Sequence, residues 1–231
     1  MKKLLVVIAL IMAVTASAQT IIPKAGMTLS TLDAETFASN PGDFDSYKNV
    51  TGFSVGVGYR IGFGDLISLQ PELLFIQKGW KNEYGYDDGF GYTETYTETA
   101  KLNYIELPIL LRIALGPDKF KFHINVGPSV GYGINGKYDY ESKIDYYGDI
   151  STFSTDGDIK FEEMPENYEG PDEFIPNRIE LGAQIGGGVT LFNKILVDVR
   201  YGLGLTDLSD DGKSKNRVLQ FTVGVPIGLG L

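Results

Sequence analysis

The chain has 231 residues, with 30 acidic and 20 basic side chains, one histidine and no cysteine, and its formal net charge is −10. This excess of negative charge argues against nucleic acid as a partner, because phosphate binding depends on clustered basic residues. Without cysteine, neither a disulfide nor a cysteine-linked lipid can hold or anchor the protein.

The first 18 residues have the pattern of a secretory signal peptide. Lys2 and Lys3 precede an apolar run over residues 4–14, and Ala16 and Ala18 supply the small residues of a cleavage site. The apolar run is shorter than the roughly 20 residues that a membrane-spanning helix needs. We therefore expect residues 1–18 to be removed and residues 19–231 to form one domain.

Apolar and polar residues then alternate with a period of two in eight segments, which is the pattern of β-strands. In residues 194–205, KILVDVRYGLGL, Val199 and Tyr201 fall on one face, whereas Asp198 and Arg200 fall on the other. The predicted strands lie near residues 20–31, 52–63, 66–79, 100–115, 119–134, 179–191, 194–205 and 219–231.

The connections between these segments alternate in length. Tight turns are predicted at residues 62–65, 115–119 and 192–194, and longer polar stretches cover residues 32–49, 80–99, 137–176 and 207–216. An even number of strands with short turns at one end and long loops at the other is the layout of a bacterial outer-membrane barrel. The sequence therefore predicts an all-β protein of the cell outer membrane. Its fold would be an eight-stranded antiparallel transmembrane β-barrel in contact with lipid, with short periplasmic turns and long extracellular loops.

Alternation alone does not decide which face is inside, because a soluble lipocalin-like barrel also alternates, with its apolar face inward. Many glycines share the charged face, among them Gly58, Gly131 and Gly186. On a water-facing strand surface a glycine loses backbone entropy and packs nothing. In a narrow eight-stranded lumen it leaves room for a charged neighbour. The glycines therefore favour a charged lumen and an apolar face toward lipid, with the lipocalin-like barrel as the alternative.

The charged residues of the predicted lumen carry both signs, and Lys24 and Lys78 lie on the same face as the others. Because side chains fill an eight-stranded barrel, we expect these groups to pair and plug the lumen, although they could also line a conducting path. The predicted lumen ion-pair network consists of Arg60, Glu72, Glu106, Arg112, Glu180, Asp198 and Arg200.

Three segments are specific enough to compare with a known family. Residues 102–115 read LNYIELPILLRIAL, residues 69–80 read LQPELLFIQKGW, and residues 24–30 read KAGMTLS. Together they resemble the PorT-like family of outer-membrane β-barrel proteins of Bacteroidetes-type bacteria. The resemblance implies the barrel fold and the outer-membrane location. Because the namesake of that family is associated with protein secretion, a membrane component of a secretion or envelope machine is one alternative function.

The sequence contains few residues suited to catalysis or metal binding. His123 is the only histidine and is predicted on the lumen face beside a tight turn, where we expect a structural hydrogen bond rather than catalysis. Residues 207–212, DLSDDG, resemble the start of a calcium loop, but Val218 occupies the position of the bidentate glutamate. We therefore expect a protein that is not an enzyme and has neither a cofactor nor a bound metal.

The predicted loops carry the most distinctive surface. Residues 137–176 contain twelve acidic and three basic residues, and residues 80–99 contain five acidic residues. Tyrosine offers a large contact area at low entropic cost, and aromatic residues exposed on loops favour binding over packing. The alternative is a solvated acidic surface that only shields the cell and keeps the barrel soluble. We expect residues 137–176 to form a partly disordered extracellular arm that binds another envelope protein or an extracellular ligand. The candidate binding residues are Tyr84, Tyr86, Tyr92, Tyr138, Tyr140, Tyr146 and Tyr147.

Overall fold

The computed structural model describes residues 19–34, 40–41, 43–64, 66–117, 119–208 and 213–229. The predicted signal peptide, residues 1–18, lies outside this part of the chain. Among the residues that the structure describes, no helix is long and apolar enough to cross a membrane.

The described residues form twelve β-strands. They are β1 (Gln19–Ala34), β2 (Asp43–Lys48), β3 (Val50–Phe63), β4 (Ile67–Asp87), β5 (Tyr92–Leu115), β6 (Phe120–Tyr146), β7 (Asp149–Lys160), β8 (Glu173–Phe174), β9 (Ile179–Leu191), β10 (Ile195–Gly204), β11 (Ser214–Gly224) and β12 (Ile227–Gly228).

Eight of these strands close into an antiparallel barrel. The hydrogen-bonded order is β1, β3, β4, β5, β6, β9, β10 and β11, and β11 pairs with β1 to complete the ring. Each of the eight predicted segments overlaps one of these strands. Closure leaves no unpaired edge between the barrel strands, which is the condition for a sheet to span lipid.

The apolar side chains of the barrel point outward and the polar ones point inward. On β6, Ile124 and Val126 are 63% and 50% exposed, whereas His123 and Asn125, which alternate with them, are 3% and 2% exposed. Val199 on β10 is likewise exposed beside the buried Arg200. The lipocalin-like alternative requires the opposite arrangement, and this pattern contradicts it. The outward face is suited to lipid and the interior is a polar lumen.

Two hairpins rise beyond the apolar belt, through residues predicted to be loops. β4 and β5 stay paired as far as Asp87 and Thr93, and β6 stays paired with β7 from Gly136 to Tyr146. The prediction of a partly disordered arm over residues 137–176 was therefore wrong for residues 137–160. These strands combine tyrosine and threonine, which favour extended structure. They extend beyond the lipid-facing surface of the barrel, so they need no apolar face.

The other corrections concern strand ends. The predicted loops 32–49 and 207–216 contain β2 and the start of β11. The last predicted strand, near residues 219–231, is divided into β11 and β12 by the non-strand residues Val225 and Pro226. Proline has no backbone N–H to donate to a ladder, which accounts for the interruption.

The hairpin end of the lumen is closed by a buried apolar cluster that the sequence did not predict. Phe161 follows β7 and packs edge-on against Tyr104 of β5, with their ring centroids 5.3 Å apart. A Cβ atom at Gly133 would lie 2.5 Å from the Phe161 ring, so glycine is required at this close approach. We call this cluster the apolar cap, and it consists of Leu32, Ile76, Ala100, Leu102, Tyr104, Ile159, Phe161, Ile175, Leu208 and Val218.

Candidate functional site

The lumen contains a buried charge cluster centred on Arg200. The guanidinium of Arg200 donates two hydrogen bonds of 2.8 Å to the two carboxylate oxygens of Glu72, and lies 3.3 Å from Asp198. Lys24 reaches the same two carboxylates at 2.8 and 3.2 Å. His123 Nε2 contacts the other oxygen of Asp198. Two cations thus balance two carboxylates, which satisfies the requirement for burying charge.

A second cluster lies on the lumen side of the apolar cap. The ammonium group of Lys78 is 3.3 Å from Glu106 and 3.2 Å from Glu180, and it also lies over the ring of Tyr104. Gln184 donates a 2.7 Å hydrogen bond to Glu106. The free space beside this cluster is about 10 Å³, which is room for about one water molecule.

Arg60 and Arg112, which the sequence analysis placed in the ion-pair network, occupy a different environment. Arg112 donates a 3.0 Å hydrogen bond to the hydroxyl of Thr190, and within the described part of the chain no carboxylate lies within salt-bridge distance of either arginine. The prediction that both arginines pair with carboxylates of the lumen network, such as Glu72 and Glu106, is therefore wrong. Lysines from β1 and β4 take those carboxylates instead, because alternation fixes the face of a residue but not its cross-lumen partner.

A second candidate site stands on the two hairpins beyond the barrel. The face of β2, β4, β5 and β6 that continues the lumen face carries eight tyrosines, and we call it the tyrosine face. The strand register places Asp45 opposite Tyr84, Tyr84 opposite Tyr96, and Glu98 opposite Tyr140. The tyrosines of this face are Tyr47, Tyr84, Tyr86, Tyr92, Tyr96, Tyr138, Tyr140 and Tyr146.

The rings of the tyrosine face contact one another across the strands. Tyr84 and Tyr96 stack with centroids 5.3 Å apart, and Tyr96 and Tyr140 stack at 6.4 Å. The ring of Tyr92 packs at an angle against Tyr86 and Tyr146, with centroid distances of 6.5 and 6.1 Å. Such aromatic pairs stabilise a sheet across its strands. They also hold the rings in fixed orientations, which lowers the entropic cost of using them for binding.

Carboxylates lie between these rings. The hydroxyl of Tyr84 donates a 3.0 Å hydrogen bond to Glu98, and the hydroxyls of Tyr92 and Tyr96 donate to Glu94. Burial, followed by the charge of Glu98, raises the pKa of Tyr84 above its ordinary value. The hydrogen bond to Glu94 raises the pKa of Tyr92 to about 12. The tyrosines therefore stay protonated donors in a region of negative potential.

A groove of about 470 Å³ opens between β2 and the β4–β5 hairpin. Its volume is in the range of ligand pockets. The buried Asn82 lines it, and the side-chain oxygen of Asn82 accepts no hydrogen bond from any described residue. We call it the Tyr84 groove, and its lining consists of Asp43, Phe44, Asp45, Tyr47, Asn82, Tyr84, Gly85, Tyr86, Glu94, Tyr96 and Glu98.

The structure brings six of the seven candidate loop tyrosines onto this one face. The exception is Tyr147, which lies in the β6–β7 turn with a left-handed φ of 53° and packs edge-on against Tyr146. The candidate residues chosen from the sequence did not include Tyr47, Tyr96 or Asn82. The period-two spacing of YTETYTET at residues 92–99 was the available signal for Glu94 and Glu98, because it places both on the face of Tyr92 and Tyr96.

The described residues do not form a metal site of acidic or histidine side chains. Among the described residues, no group of three or more histidine, aspartate or glutamate side chains is arranged to hold a metal ion. In the calcium-like segment, Asp207 accepts a hydrogen bond from the backbone N–H of Ser214. Residues 209–212 of that segment lie outside the described residues.

Comparison with solved structures gives low sequence identities over nearly whole chains. Ail, the attachment invasion locus protein of Yersinia pestis, is 13% identical, with 91% of this chain and 99% of that chain covered and a TM-score of 0.42. Neisserial surface protein A is 11% identical, with 89% and 96% covered and a TM-score of 0.37. OprG from Pseudomonas aeruginosa is 10% identical, with 93% and 96% covered and a TM-score of 0.32. None of the curated proteins matches the chain.

One family model matches most of the sequence. The model of the outer membrane protein beta-barrel domain matches residues 18–210, which include seven of the eight strands of the barrel in full. The match agrees with the closed eight-stranded barrel, its apolar outer surface and its polar lumen. The protein is thereby assigned to the outer membrane. The chain belongs to the outer membrane protein beta-barrel domain family.

Proposed function

We propose that this protein is a non-enzymatic outer-membrane barrel that binds a partner outside the cell through its tyrosine face. The observation that carries the proposal is the ordered array of tyrosine rings and carboxylates above the barrel, stacked at 5.3 and 6.4 Å. The stacking stabilises the hairpins across their strands, and it also presents the rings as one ordered array that a partner can contact.

The division between the two faces of the hairpins supports this role. The opposite face of β5 presents a row of threonines, Thr93, Thr95, Thr97 and Thr99. On that side, Lys48 and Lys137 pair with Glu83 and Asp158 at 2.8 and 2.5 Å. Aromatic residues are enriched in binding surfaces because they combine contact area with a polar tip. The tyrosine face is therefore the side to which we assign binding.

The environment of the single histidine supports a role without catalysis. His123 is 3% exposed and contacts Asp198 inside the charge cluster of the lumen. Acid–base catalysis needs a group within hydrogen-bond reach of a substrate, and this ring is enclosed by the barrel. We assign His123 a structural role.

The experiment compares partner capture by variants of the two faces. Three forms of the full barrel are reconstituted in vesicles: the wild type, a tyrosine variant and a control variant. The tyrosine variant carries Tyr96→Ser and Tyr140→Ser. The matched control carries Thr95→Ala and Thr97→Ala on the opposite face. We expect proteins or ligands from culture medium and envelope extract to be captured by the wild type and the control, and lost from the tyrosine variant. Equal capture by all three contradicts the proposal.

The secretion or envelope machine suggested by the PorT-like resemblance is the second candidate. Two residues of the segment that resembles the PorT-like family have structural roles inside the barrel. Tyr104 lies in the apolar cap, and Glu106 pairs with Lys78. Crosslinking in intact cells separates the two candidates. Capture of envelope proteins through the periplasmic turns, independent of the tyrosine face, favours the machine component.

A further inference from the structure

The Tyr84 groove has acceptors for hydrogen bonds but lacks a cation among the residues that line it. Its carboxylates are Asp43, Asp45, Glu94 and Glu98, and the lining contains no lysine, arginine or histidine. Within the described part of the chain, no basic side chain lies within salt-bridge distance of Glu94 or Glu98. Glu94 and Glu98 accept hydrogen bonds from tyrosine hydroxyls, and partly buried carboxylates with neutral donors favour an incoming positive charge.

The floor of the groove holds a second and independent feature. Asn82 is 8% exposed, and its side-chain oxygen has no donor among the described residues. A buried acceptor without a partner costs about 1 to 3 kcal/mol. An N–H donor placed in the groove relieves that cost when the amide of Asn82 turns its oxygen toward the donor.

The walls of the groove are flat aromatic rings. Tyr84 and Tyr96 stack at 5.3 Å with an interplanar angle of 26°, so they present neighbouring ring edges and faces to the groove. A guanidinium group is planar, stacks on tyrosine and carries five N–H donors. An ammonium group has only three donors on one atom and is more strongly hydrated.

We propose that the Tyr84 groove binds the guanidinium group of an arginine presented by a basic segment of the extracellular partner. The guanidinium stacks against the tyrosine rings of the groove wall and donates to Glu94, Glu98 and the side-chain oxygen of Asn82. The groove volume of about 470 Å³ exceeds the size of one guanidinium, so the adjoining peptide also fits. This inference rests on the proposed binding role of the tyrosine face and names the chemistry of its partner.

The raised pKa values around the groove agree with this chemistry. The charge of Glu98 contributes, after burial, to raising the pKa of both Tyr84 and Tyr138, and the charge of Asp45 does so for Tyr47. Each tyrosine therefore resists becoming a second anion beside a carboxylate. The same negative potential attracts a guanidinium.

The experiment titrates the refolded full barrel in detergent with acetyl-triarginine amide and follows the heat of binding at physiological salt. Triarginine should bind saturably, more tightly than trilysine, and the neutral tricitrulline peptide should not bind. Glu98→Gln should weaken triarginine about tenfold or more, because a charge-assisted hydrogen bond is lost. Glu141→Gln on the opposite face of β6 removes the same charge and should have no effect.

Several results overturn the inference. They are the absence of saturable binding, equal affinity for trilysine, binding of tricitrulline, or an equal loss of affinity in Glu98→Gln and Glu141→Gln. Heat-dependent mobility on gels shows that each variant is folded. A barrel that ignores triarginine but still captures its partner through Tyr96 and Tyr140 overturns this inference and leaves the proposed function standing.

Discussion

Arg200 and Glu72 form a two-pronged ion pair across the lumen, with both N–O distances at 2.8 Å, although 128 residues separate them in the sequence. Both side chains are at most 1% exposed. The pair ties β10 to β4, which are not neighbours in the barrel. It therefore braces the interior from one wall to another, in addition to the hydrogen-bonded ladders around the circumference.

Breaking this pair should be costly. Glu72→Gln leaves Arg200 and Lys24 with only Asp198 as a carboxylate partner, and removing one member of a buried pair costs about 3 to 5 kcal/mol. Urea unfolding of the barrel in vesicles measures the loss. The exposed pair of Lys48 and Glu83 is the control, since Glu83→Gln should cost no more than about 1 kcal/mol. Adding Lys24→Met to Glu72→Gln should recover part of the stability by restoring charge balance; no recovery contradicts the charge explanation.

A charge on the lipid-facing side should also destabilise the barrel. Val199→Arg places a guanidinium on the outward face of β10 and should cost about 2 to 4 kcal/mol if it lies near the midplane. Ile150→Arg on β7, in the hairpin beyond the apolar belt, introduces the same group away from the lipid-facing surface and should be nearly neutral. Folding of both variants into vesicles, followed by urea unfolding, gives the comparison. Equal costs for the two variants contradict the assigned membrane position.

The filled lumen should not conduct ions. The two charge clusters and the apolar cap occupy the interior, so planar-bilayer recordings of the wild type should show no steady conductance. Stable openings of the wild-type protein contradict a filled lumen.

Arg112→Met should destabilise the barrel less than Glu72→Gln does, because Arg112 loses a hydrogen bond to Thr190 rather than an ion pair. Urea unfolding of the two variants in vesicles measures the difference. A larger cost for Arg112→Met than for Glu72→Gln contradicts the position of Arg112 outside the ion-pair clusters.

Alkaline titration should show late ionisation of the tyrosine face. Burial and Glu98 raise the pKa of Tyr84 and Tyr138, and Tyr92 titrates at about 12. A tyrosine whose folded pKa is raised contributes stability that is complete below its unfolded pKa of about 10 and is lost as the pH rises toward the folded value. Tyrosinate absorbance should therefore rise earlier in Glu98→Gln than in the wild type, with Glu141→Gln as the control. An unchanged titration curve in Glu98→Gln contradicts this account.

The sequence predicts some of these features and not others, for physical reasons. Alternation over residues 194–205 is enough to place Asp198 and Arg200 in the lumen and Val199 outside, because side-chain direction in a strand has a period of two. It does not reveal that Lys24, rather than Arg112, reaches Glu72, since cross-lumen partners depend on strand stagger and closure.

The hairpins were missed because their pattern lacks the usual contrast. Both faces of YTETYTET are polar, so a search for apolar alternation reads these residues as a loop, although tyrosine and threonine favour extended structure. The Tyr84 groove could not be predicted from the sequence either, because Tyr47 and Asn82 come together only when β2 pairs with β4. That pairing joins residues across an intervening barrel strand.

The central claim is that the tyrosine face stands outside the cell on a barrel that spans the outer membrane. Because the chain contains no cysteine, single-cysteine variants can be labelled in intact cells with a maleimide that does not cross membranes. Lys143→Cys lies on the exposed side of the β6–β7 hairpin, and Lys194→Cys lies in the short turn between β9 and β10. We predict that Lys143→Cys is labelled in intact cells and that Lys194→Cys is labelled only after the outer membrane is permeabilised. Labelling of Lys194→Cys in intact cells while Lys143→Cys stays protected would contradict the claim.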